Sequence, residues 1–400
     1  MHLSIPRFTK QEKLIFAGCF FAYLFTYTAR LNLSAALPNL SQSLHLTSTQ
    51  AGLIQTVFAI VYASGQFVNG AIVDRVSPRL HNVCGLMLSA LCNLLFGLSS
   101  HFWQLMLLWG LNGAAQSMLW TPIVRLIAVW FDDQKRSFVS FCMCLCFVVG
   151  HFAAWLISGL MSALFAWRYS FIVPAVILAC TAVMAALCLR DRQHTAVYSN
   201  GPAMPLRQLL FGTGLWLIFI GNFATGFARD GVTAWAPTMI GQSLGEGNAL
   251  SGTLVSLLIP VINTVGLFFG QMLLTRSQGN IRATVCKILA GAIVCMLILA
   301  VLSAPPALVL ALLMGTLCAL MHSVSNMQSV MLPMDFSYTG RVALVAGLCD
   351  CMLYLGSSLV SVTSGALIES SGPSTMYLSW ALAAVISGAA ILLSGSKKRA

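Results

Sequence analysis

The dominant feature of this sequence is a series of apolar runs, each separated from the next by a short polar segment. A helix needs about 20 mostly apolar residues to cross the hydrocarbon core of a bilayer. Twelve runs of about this length can be placed along the chain, so we predict an all-α membrane protein with twelve transmembrane helices. The predicted spans are 14–36, 50–73, 80–98, 103–130, 138–162, 168–189, 212–238, 249–273, 281–302, 306–331, 342–367 and 375–394.

The composition agrees with a chain that lies almost wholly in the lipid bilayer. It is 58% hydrophobic and 8% charged, whereas soluble proteins average about 45–50% apolar and about 25% charged residues. The first apolar run carries Arg30 and has no small-residue cleavage site, so it is predicted to be helix 1 and not a signal peptide.

The net charge of +11 could indicate nucleic-acid binding, but the positions of the cations point to a membrane. Seventeen of the 21 lysines and arginines fall in alternate loops or termini on one predicted side, and the opposite loops hold only Arg168. This is the positive-inside pattern. It predicts cytoplasmic termini, a location in the plasma membrane (the inner membrane, if the source is a bacterium), and no nucleic-acid partner.

The longest polar interval lies midway along the chain and divides the predicted helices into two sets of six. We predict an N-terminal half at 1–190, a cytoplasmic linker at 191–207 and a C-terminal half at 208–400.

Landmarks in the two halves repeat at a nearly constant offset. Gly70 follows helix 2 and Gly270 follows helix 8, 200 residues later, while Arg30 and Arg229 are 199 residues apart. A constant offset is typical of a parallel duplication, in which substrate binds near the membrane midplane between the halves. The sequence therefore predicts two pseudo-symmetric halves.

The loop after helix 2 carries Gly70-x-x-x-Asp74-Arg75-x-x-x-Arg79. This motif resembles the signature of the major facilitator superfamily, and Gly70, Asp74 and Arg75 are predicted to act in a cytoplasmic gate. An ordinary charged turn is the alternative interpretation. The chain contains no GxxxxGK[ST] phosphate loop, so transport would be driven by gradients and not by nucleotide hydrolysis.

Two arginines lie deep inside predicted helices. Arg30 and Arg229 are each about 25 Å from the cytoplasmic end of their helix, at 1.5 Å per residue. A charge at such depth is costly, so it indicates function by default. Guanidinium groups can bind a phosphate or carboxylate with two parallel hydrogen bonds. The alternative is structural pairing with a buried acid such as Asp230 or Asp350.

Longer motifs on four helices resemble the organophosphate:phosphate antiporter family, the major facilitator branch that exchanges sugar phosphates or glycerol phosphate for inorganic phosphate. They fall in order along nearly the whole chain. They are Tyr27-Thr-Ala-Arg30-Leu-Asn32, Gln116-x-x-x-Trp120-x-Pro122-x-x-Arg125, Arg229-x-Gly231-x-x-x-Trp235-x-Pro237-Thr238 and Tyr354-Leu355-Gly356.

The resemblance implies a major facilitator fold and a set of site residues. Arg30 and Arg229 would form the central anion site, and Arg125 would act as a structural or gating residue near the cytoplasmic end of helix 4. The residues implied to line the site are Tyr27, Trp120 and Tyr354.

The sequence departs from the family pattern at three places. Gln66 stands where the family commonly has a lysine in helix 2, and it is retained as a substrate-binding candidate. Leu31 follows the helix 1 arginine in place of a lysine, and His151 is more than one turn from the position of the family's helix 5 histidine. The predicted site is therefore less basic, which leaves room for a monoanionic carboxylate.

Asp350 lies in the middle of helix 11, where the family usually has a small residue. No lysine or arginine stands at i+3 or i+4 to neutralise it. It is predicted to pair with Arg30 or Arg229, or to carry a proton. A water-facing acid without a role is the third interpretation.

The leading prediction is a secondary transporter of a small organic anion, working by alternating access and exchanging an organophosphate for phosphate. The alternatives are proton-coupled symport of an organic carboxylate and a transporter-like membrane sensor. No catalytic set converges at one depth, so an enzyme is not predicted. Nor do the 13 cysteines have metal-ligand spacing. The predicted partners are the anion, the bilayer and, in the symport alternative, a proton; no cofactor is predicted, and the protein is predicted to function as a monomer.

Overall fold

The computed structural model describes residues 8–72, 76–192, 206–245, 249–302, 305–339 and 342–396, and these residues fold almost entirely into helices. Each of the twelve predicted spans falls on a helical segment, in the predicted order. The expectation of an all-helical chain is therefore confirmed for the described residues.

The helices up to residue 192 follow the first six predicted spans, with two interruptions. Helix 1 is divided into α1 and α2 by a 3-10 turn at Tyr27–Ala29, and helix 4 is divided into α5 and α6. The bounds are α1 Lys10–Thr26, α2 Asn32–Leu44, α3 Ser48–Ile72, α4 Pro78–Leu98, α5 Phe102–Ser117, α6 Trp120–Trp130, α7 Asp133–Leu164 and α8 Tyr169–Cys188.

The helices after residue 205 follow the last six predicted spans. The helix that carries Arg229 is continuous, whereas the one after it is split and the tenth span ends in a π-helical turn at Met327–Met331 followed by 3-10 helix at Leu332–Thr339. The bounds are α9 Leu206–Gly212, α10 Leu215–Leu244, α11 Ala249–Ser256, α12 Leu258–Arg276, α13 Ile281–Val301, α14 Ala307–Asn326, α15 Val342–Ser371 and α16 Pro373–Ser396.

Several helices begin where a polar side chain accepts a hydrogen bond from the free backbone N–H groups of the first turn. Thr9 and Glu12 form a reciprocal capping box at the start of α1. Asp132 caps α7 by accepting from Lys135 N at 3.0 Å, and Asn280 caps α13. These caps lie in the polar loops that separate the apolar runs, which explains why the predicted boundaries fall close to the observed ones.

Within the described ranges, eight helical segments are long and apolar enough to cross a membrane. The other four predicted spans fall on α3, on α5 with α6, on α7 and on α10. The two parts of helix 4 contain 16 and 11 residues, which is too few for either part to span a bilayer by itself.

The chain divides into two compact units. Unit 1 contains the described residues of 1–45 and 60–196, and unit 2 contains those of 46–59 and 197–400. Residues 48–59 of α3 thus group with unit 2, although the sequence places them in the first predicted half. The predicted linker lies mostly outside the described residues, and the division into two six-helix halves stays a prediction.

In unit 2 the first turns of α3 pack against the end of α15. The Glu369 carboxylate accepts hydrogen bonds from the backbone N–H and hydroxyl of Thr49, at 2.8 and 2.6 Å. Glycine at 52 and 365 permits this approach, because a Cβ at either position would overlap backbone of the facing helix. The start of α3 is therefore both capped and held by α15.

Candidate functional site

The interruption of helix 1 places Arg30 at the end of a 3-10 turn. Arg30 has φ −112° and ψ −43°, and α2 begins two residues later. A break in a membrane helix leaves carbonyl groups that need other donors, because lipid supplies none. Here the Ala29 carbonyl accepts from Asn112 at 2.9 Å and from Asn93 at 3.3 Å.

Further buried amides complete this support. Gln116 donates to the Thr26 carbonyl at 3.4 Å, and Asn32 donates to Asn93 Oδ1 at 2.8 Å and to the Ser170 carbonyl at 3.0 Å. These side chains come from α2, α4 and α5, and all of them are buried. The break is thus a fixed part of unit 1, and it sets the position of Arg30.

The guanidinium group of Arg30 lies against aromatic rings. Its Cζ is 4.2 Å from the centroid of Tyr62 on α3 and 5.8 Å from that of Tyr27. Both distances are in the range of cation–π attraction, which contributes about 0.5–2 kcal/mol. Gln66, one turn after Tyr62, donates to the Tyr62 hydroxyl at 2.6 Å. Of the predicted residues, Tyr27 is therefore beside Arg30, and Gln66 is linked to Arg30 through Tyr62.

Tyr27 also belongs to a second aromatic group. Its hydroxyl donates to that of Tyr23 at 3.0 Å, and the Tyr23 ring lies 4.5 Å from Trp120 at the start of α6. The ring of His151 on α7 is 4.9 Å from that of Tyr27. Trp120 is therefore reached from Arg30 through two tyrosines.

Sequence reasoning missed Tyr62 and Tyr23 and gave His151 little weight. A signal was present for the tyrosines, since Tyr62 precedes Gln66 by four residues and Tyr23 precedes Tyr27 by four, and residues four apart share a helix face. His151 could not be found by spacing, because its approach to Tyr27 depends on how α7 packs. Gly150 allows that approach, since a Cβ there would lie 2.6 Å from the Tyr27 ring.

Arg229 on α10 has a different environment. Its Nε and Nη2 donate to the two carboxylate oxygens of Asp230, at 2.6 and 2.9 Å, and its Nη1 donates to the Ser325 hydroxyl on α14 at 2.9 Å. The side chains of Arg229 and Asp230 are only 12% and 28% exposed. Of the two interpretations of Arg229, structural pairing with Asp230 is thus present in the structure, and anion binding stays a prediction.

Helix α15 brings the other predicted residues of unit 2 to Arg229. The guanidinium Cζ is 5.8 Å from the Tyr354 ring centroid, and Asp350, one turn earlier, interacts electrostatically with Arg229. Close packing of α10 on α15 makes this possible. A Cβ at Gly226 or at Gly356 would overlap a backbone carbonyl of the facing helix.

His322 on α14 adds a titratable group to this cluster. Its Nδ1 lies 2.9 Å from the Cys318 carbonyl. Because a carbonyl only accepts, Nδ1 carries a hydrogen and Nε2 of the neutral ring is left as an acceptor. Ser329, in the π-helical turn that follows α14, donates to Asn222 on α10 at 3.0 Å.

The structure describes only some of the residues that are predicted to act in the cytoplasmic gate. Arg125 Nη1 donates to the Val76 carbonyl, in the loop between α3 and α4, at 3.2 Å. Gly70, predicted to lie in the loop after helix 2, instead lies in the last turn of α3, because that helix continues to Ile72, whereas Asp74 and Arg75 fall outside the described residues. Arg125 is therefore in contact with the loop that carries the motif. Across the described ranges, no group of three or more His, Cys, Asp or Glu side chains could hold a metal ion.

The family model of the Major Facilitator Superfamily matches residues 19–352. The chain belongs to this superfamily. It is therefore an integral membrane protein, and the predicted all-α architecture with twelve transmembrane helices is that of the family. The matches are to transporters and related membrane proteins and not to enzymes.

Curated relatives agree with the resemblance to organophosphate:phosphate antiporters. A probable hexose phosphate transport protein of Chlamydia muridarum is 30% identical over 47% of this chain and 40% of its own length. A glycerol-3-phosphate transporter of Bacillus subtilis is 27% identical over 58% of each protein. The membrane sensor protein UhpC of Salmonella typhimurium is 24% identical over 64% of this chain and 63% of its own. The chain spans less than two thirds of the length of these relatives.

Solved structures have the same fold at low identity. A bacterial homologue of the human lysosomal transporter Spinster, in an inward-facing and occupied conformation, gives a TM-score of 0.82 at 14% identity and covers 98% of both chains. The nucleoside transporter NupG gives 0.71 at 14% identity, covering 98% of this chain and 100% of its own. At this identity the likeness establishes the fold alone.

Proposed function

We propose that this protein is a secondary transporter of a small organic anion, and that the substrate is an organophosphate exchanged for inorganic phosphate. The anion binds to Arg30 and Arg229, one in each unit. The residues that line the binding site beside these arginines are Tyr27, Trp120, Tyr354 and Gln66. The substrate crosses the membrane by alternating access, and concentration gradients drive its transport.

The observation that carries this proposal is the pair of arginines at equivalent positions inside membrane helices. Each is held by a specific structure: a supported helix break for Arg30, and an ion pair beside α15 for Arg229. Guanidinium groups in a low-dielectric site bind phosphoryl oxygens strongly and with defined geometry. The names of the Chlamydia and Bacillus relatives support a sugar phosphate or glycerol phosphate as the substrate class.

We also propose that the protein acts as a monomer in the plasma membrane, which would be the inner membrane of a bacterium, with both termini in the cytoplasm. The basis for the orientation of the termini is the distribution of lysine and arginine among the loops. The termini themselves, residues 1–7 and 397–400, lie outside the described residues.

Transport by the purified protein in liposomes tests the function. Vesicles loaded with phosphate should take up labelled glycerol 3-phosphate faster than vesicles without it. The absence of uptake under both conditions would contradict the proposal. Binding of glycerol 3-phosphate without any flux would instead indicate a sensor, the function named for the UhpC relative.

A second candidate is proton-coupled symport of an organic carboxylate. It is favoured by Asp350, an acid that interacts with Arg229 inside the membrane region. Asp350→Asn mimics the protonated acid, so it should abolish uptake driven by a pH gradient and keep counterflow, which needs no net proton movement. If Asp350 only holds an arginine in place, both assays should change together. Equal behaviour of wild type and variant would remove Asp350 from the mechanism.

A further inference from the structure

Asp230 occupies the guanidinium of Arg229 in the way a substrate oxyanion would. It accepts two hydrogen bonds, at 2.6 and 2.9 Å, from the Nε and Nη2 edge. Neighbouring residues on a helix point about 100° apart and do not normally face each other. Both side chains therefore have to turn toward one another, so the pairing is not a by-product of helix geometry.

Such a counter-ion has a consequence for a carrier without substrate. A buried guanidinium that loses its anion is left uncompensated in a medium of low dielectric constant, and this is strongly unfavourable. Bound substrate supplies the missing charge while the carrier changes from one side to the other. A carrier that has released its substrate must either wait for another anion, which makes exchange obligatory, or neutralise the arginine internally.

We propose that Asp230 is this internal substitute for the substrate at Arg229. When the site is empty, Asp230 neutralises the guanidinium, so the empty carrier can reorient and the protein performs net transport as well as exchange. When an anion binds, it replaces Asp230 as the acceptor of one or both hydrogen bonds from the guanidinium. This inference rests on the proposed function and adds to it the mode of transport.

The neighbourhood of Asp230 offers its carboxylate another partner after displacement. The Ser357 hydroxyl on α15, which donates to the Leu353 carbonyl at 3.0 Å, also interacts with Asp230. On the guanidinium side, three of the five N–H groups of Arg229 are engaged, by Asp230 and Ser325. An incoming anion can thus contact Arg229 first through the remaining N–H groups and then replace Asp230.

The test compares two fluxes in the same proteoliposomes of full-length protein. Vesicles are loaded with labelled phosphate, and valinomycin with equal potassium on both sides removes any membrane potential. Efflux into phosphate-free medium measures return of the empty carrier, and efflux into medium with unlabelled phosphate measures exchange. The ratio of the two does not depend on how much protein is inserted.

Wild-type protein should show net efflux within about tenfold of exchange. Asp230→Asn should lower the ratio of net efflux to exchange at least tenfold, which is about 1.4 kcal/mol in the barrier to empty return. Asp230→Glu keeps the charge and should restore much of the ratio. Asp335→Asn is the matched control, because Asp335 pairs with a different arginine of unit 2, Arg282, at 3.0 Å. It should leave the ratio unchanged.

Three results would overturn the inference. Exchange by wild type without net efflux would mean that the empty carrier does not return, and this result stands even if Asp230→Asn fails to insert. An equal fall of both fluxes in Asp230→Asn, without rescue by Asp230→Glu, would indicate a purely structural role. Absence of phosphate exchange in the wild type would overturn the proposed function itself, which distinguishes the two failures.

Discussion

The buried amide cluster beneath Arg30 gives a prediction that links the helix break to substrate affinity. In Asn112→Leu, a change of similar volume, the Ala29 carbonyl loses its shorter hydrogen bond, 2.9 Å from Asn112. The Ser89 hydroxyl loses the acceptor to which it donates at 2.6 Å. Each net hydrogen bond contributes about 1 kcal/mol, and a buried group left unsatisfied costs about 1–3 kcal/mol. The expected destabilisation is therefore about 2–4 kcal/mol.

Part of that loss should appear in binding, because the break presents Arg30. If about 1.4 kcal/mol of it weakens the binding conformation, affinity for glycerol 3-phosphate falls about tenfold. The assay is thermal unfolding of the purified protein in detergent, with and without glycerol 3-phosphate. Asn39→Leu is the control, because Asn39 joins α2 to α7 through Ser162, at 2.8 and 3.1 Å, away from Arg30. It should lower the melting temperature but not the affinity.

A melting temperature that falls in Asn112→Leu without any loss of affinity would refute the reasoning. The amide cluster would then support the fold of unit 1 without positioning Arg30.

The other predictions concern packing and topology. Gly356→Ala should abolish uptake, because the added Cβ would overlap the backbone of α10. Gly347→Ala, on the same helix, should be tolerated because nothing lies within 4 Å of the added Cβ. Uptake, normalised to the amount of protein inserted in the membrane, checks both variants. Glu369→Gln should lower the melting temperature by weakening the capped contact between α3 and α15. Reporter fusions after Lys135 and at the C-terminus should report cytoplasm, and one near Gly245 should report the outside.

The helices could be predicted from the sequence because lipid imposes a single requirement, a run of about 20 apolar residues, and polar caps such as Thr9 and Asp132 mark the ends. The interruption at Tyr27–Ala29 could not be predicted in the same way. It contains no proline or glycine, and its support comes from amides such as Asn93 and Asn112, which are distant in sequence and meet only when α4 and α5 pack on it.

The site residues also differ in whether the sequence alone could identify them. Arg30, Arg229 and Tyr354 stood out because charge and motif mark them, and the structure places Tyr354 beside Arg229. Tyr62 did not stand out, because an aromatic residue in a membrane helix is ordinary by itself. Its position over the Arg30 guanidinium depends on the packing of α3 against the helix break, which hydropathy does not encode.

The most direct measurement of the central claim is uptake of labelled glycerol 3-phosphate into phosphate-loaded vesicles by wild type, Arg30→Lys and Arg229→Lys. Lysine keeps the charge but cannot reproduce the planar fork, and loss of one partner of a buried charged pair costs about 2–5 kcal/mol. Both variants should insert normally and lose nearly all uptake. Normal uptake by both variants would contradict the assignment of the two arginines as the anion site.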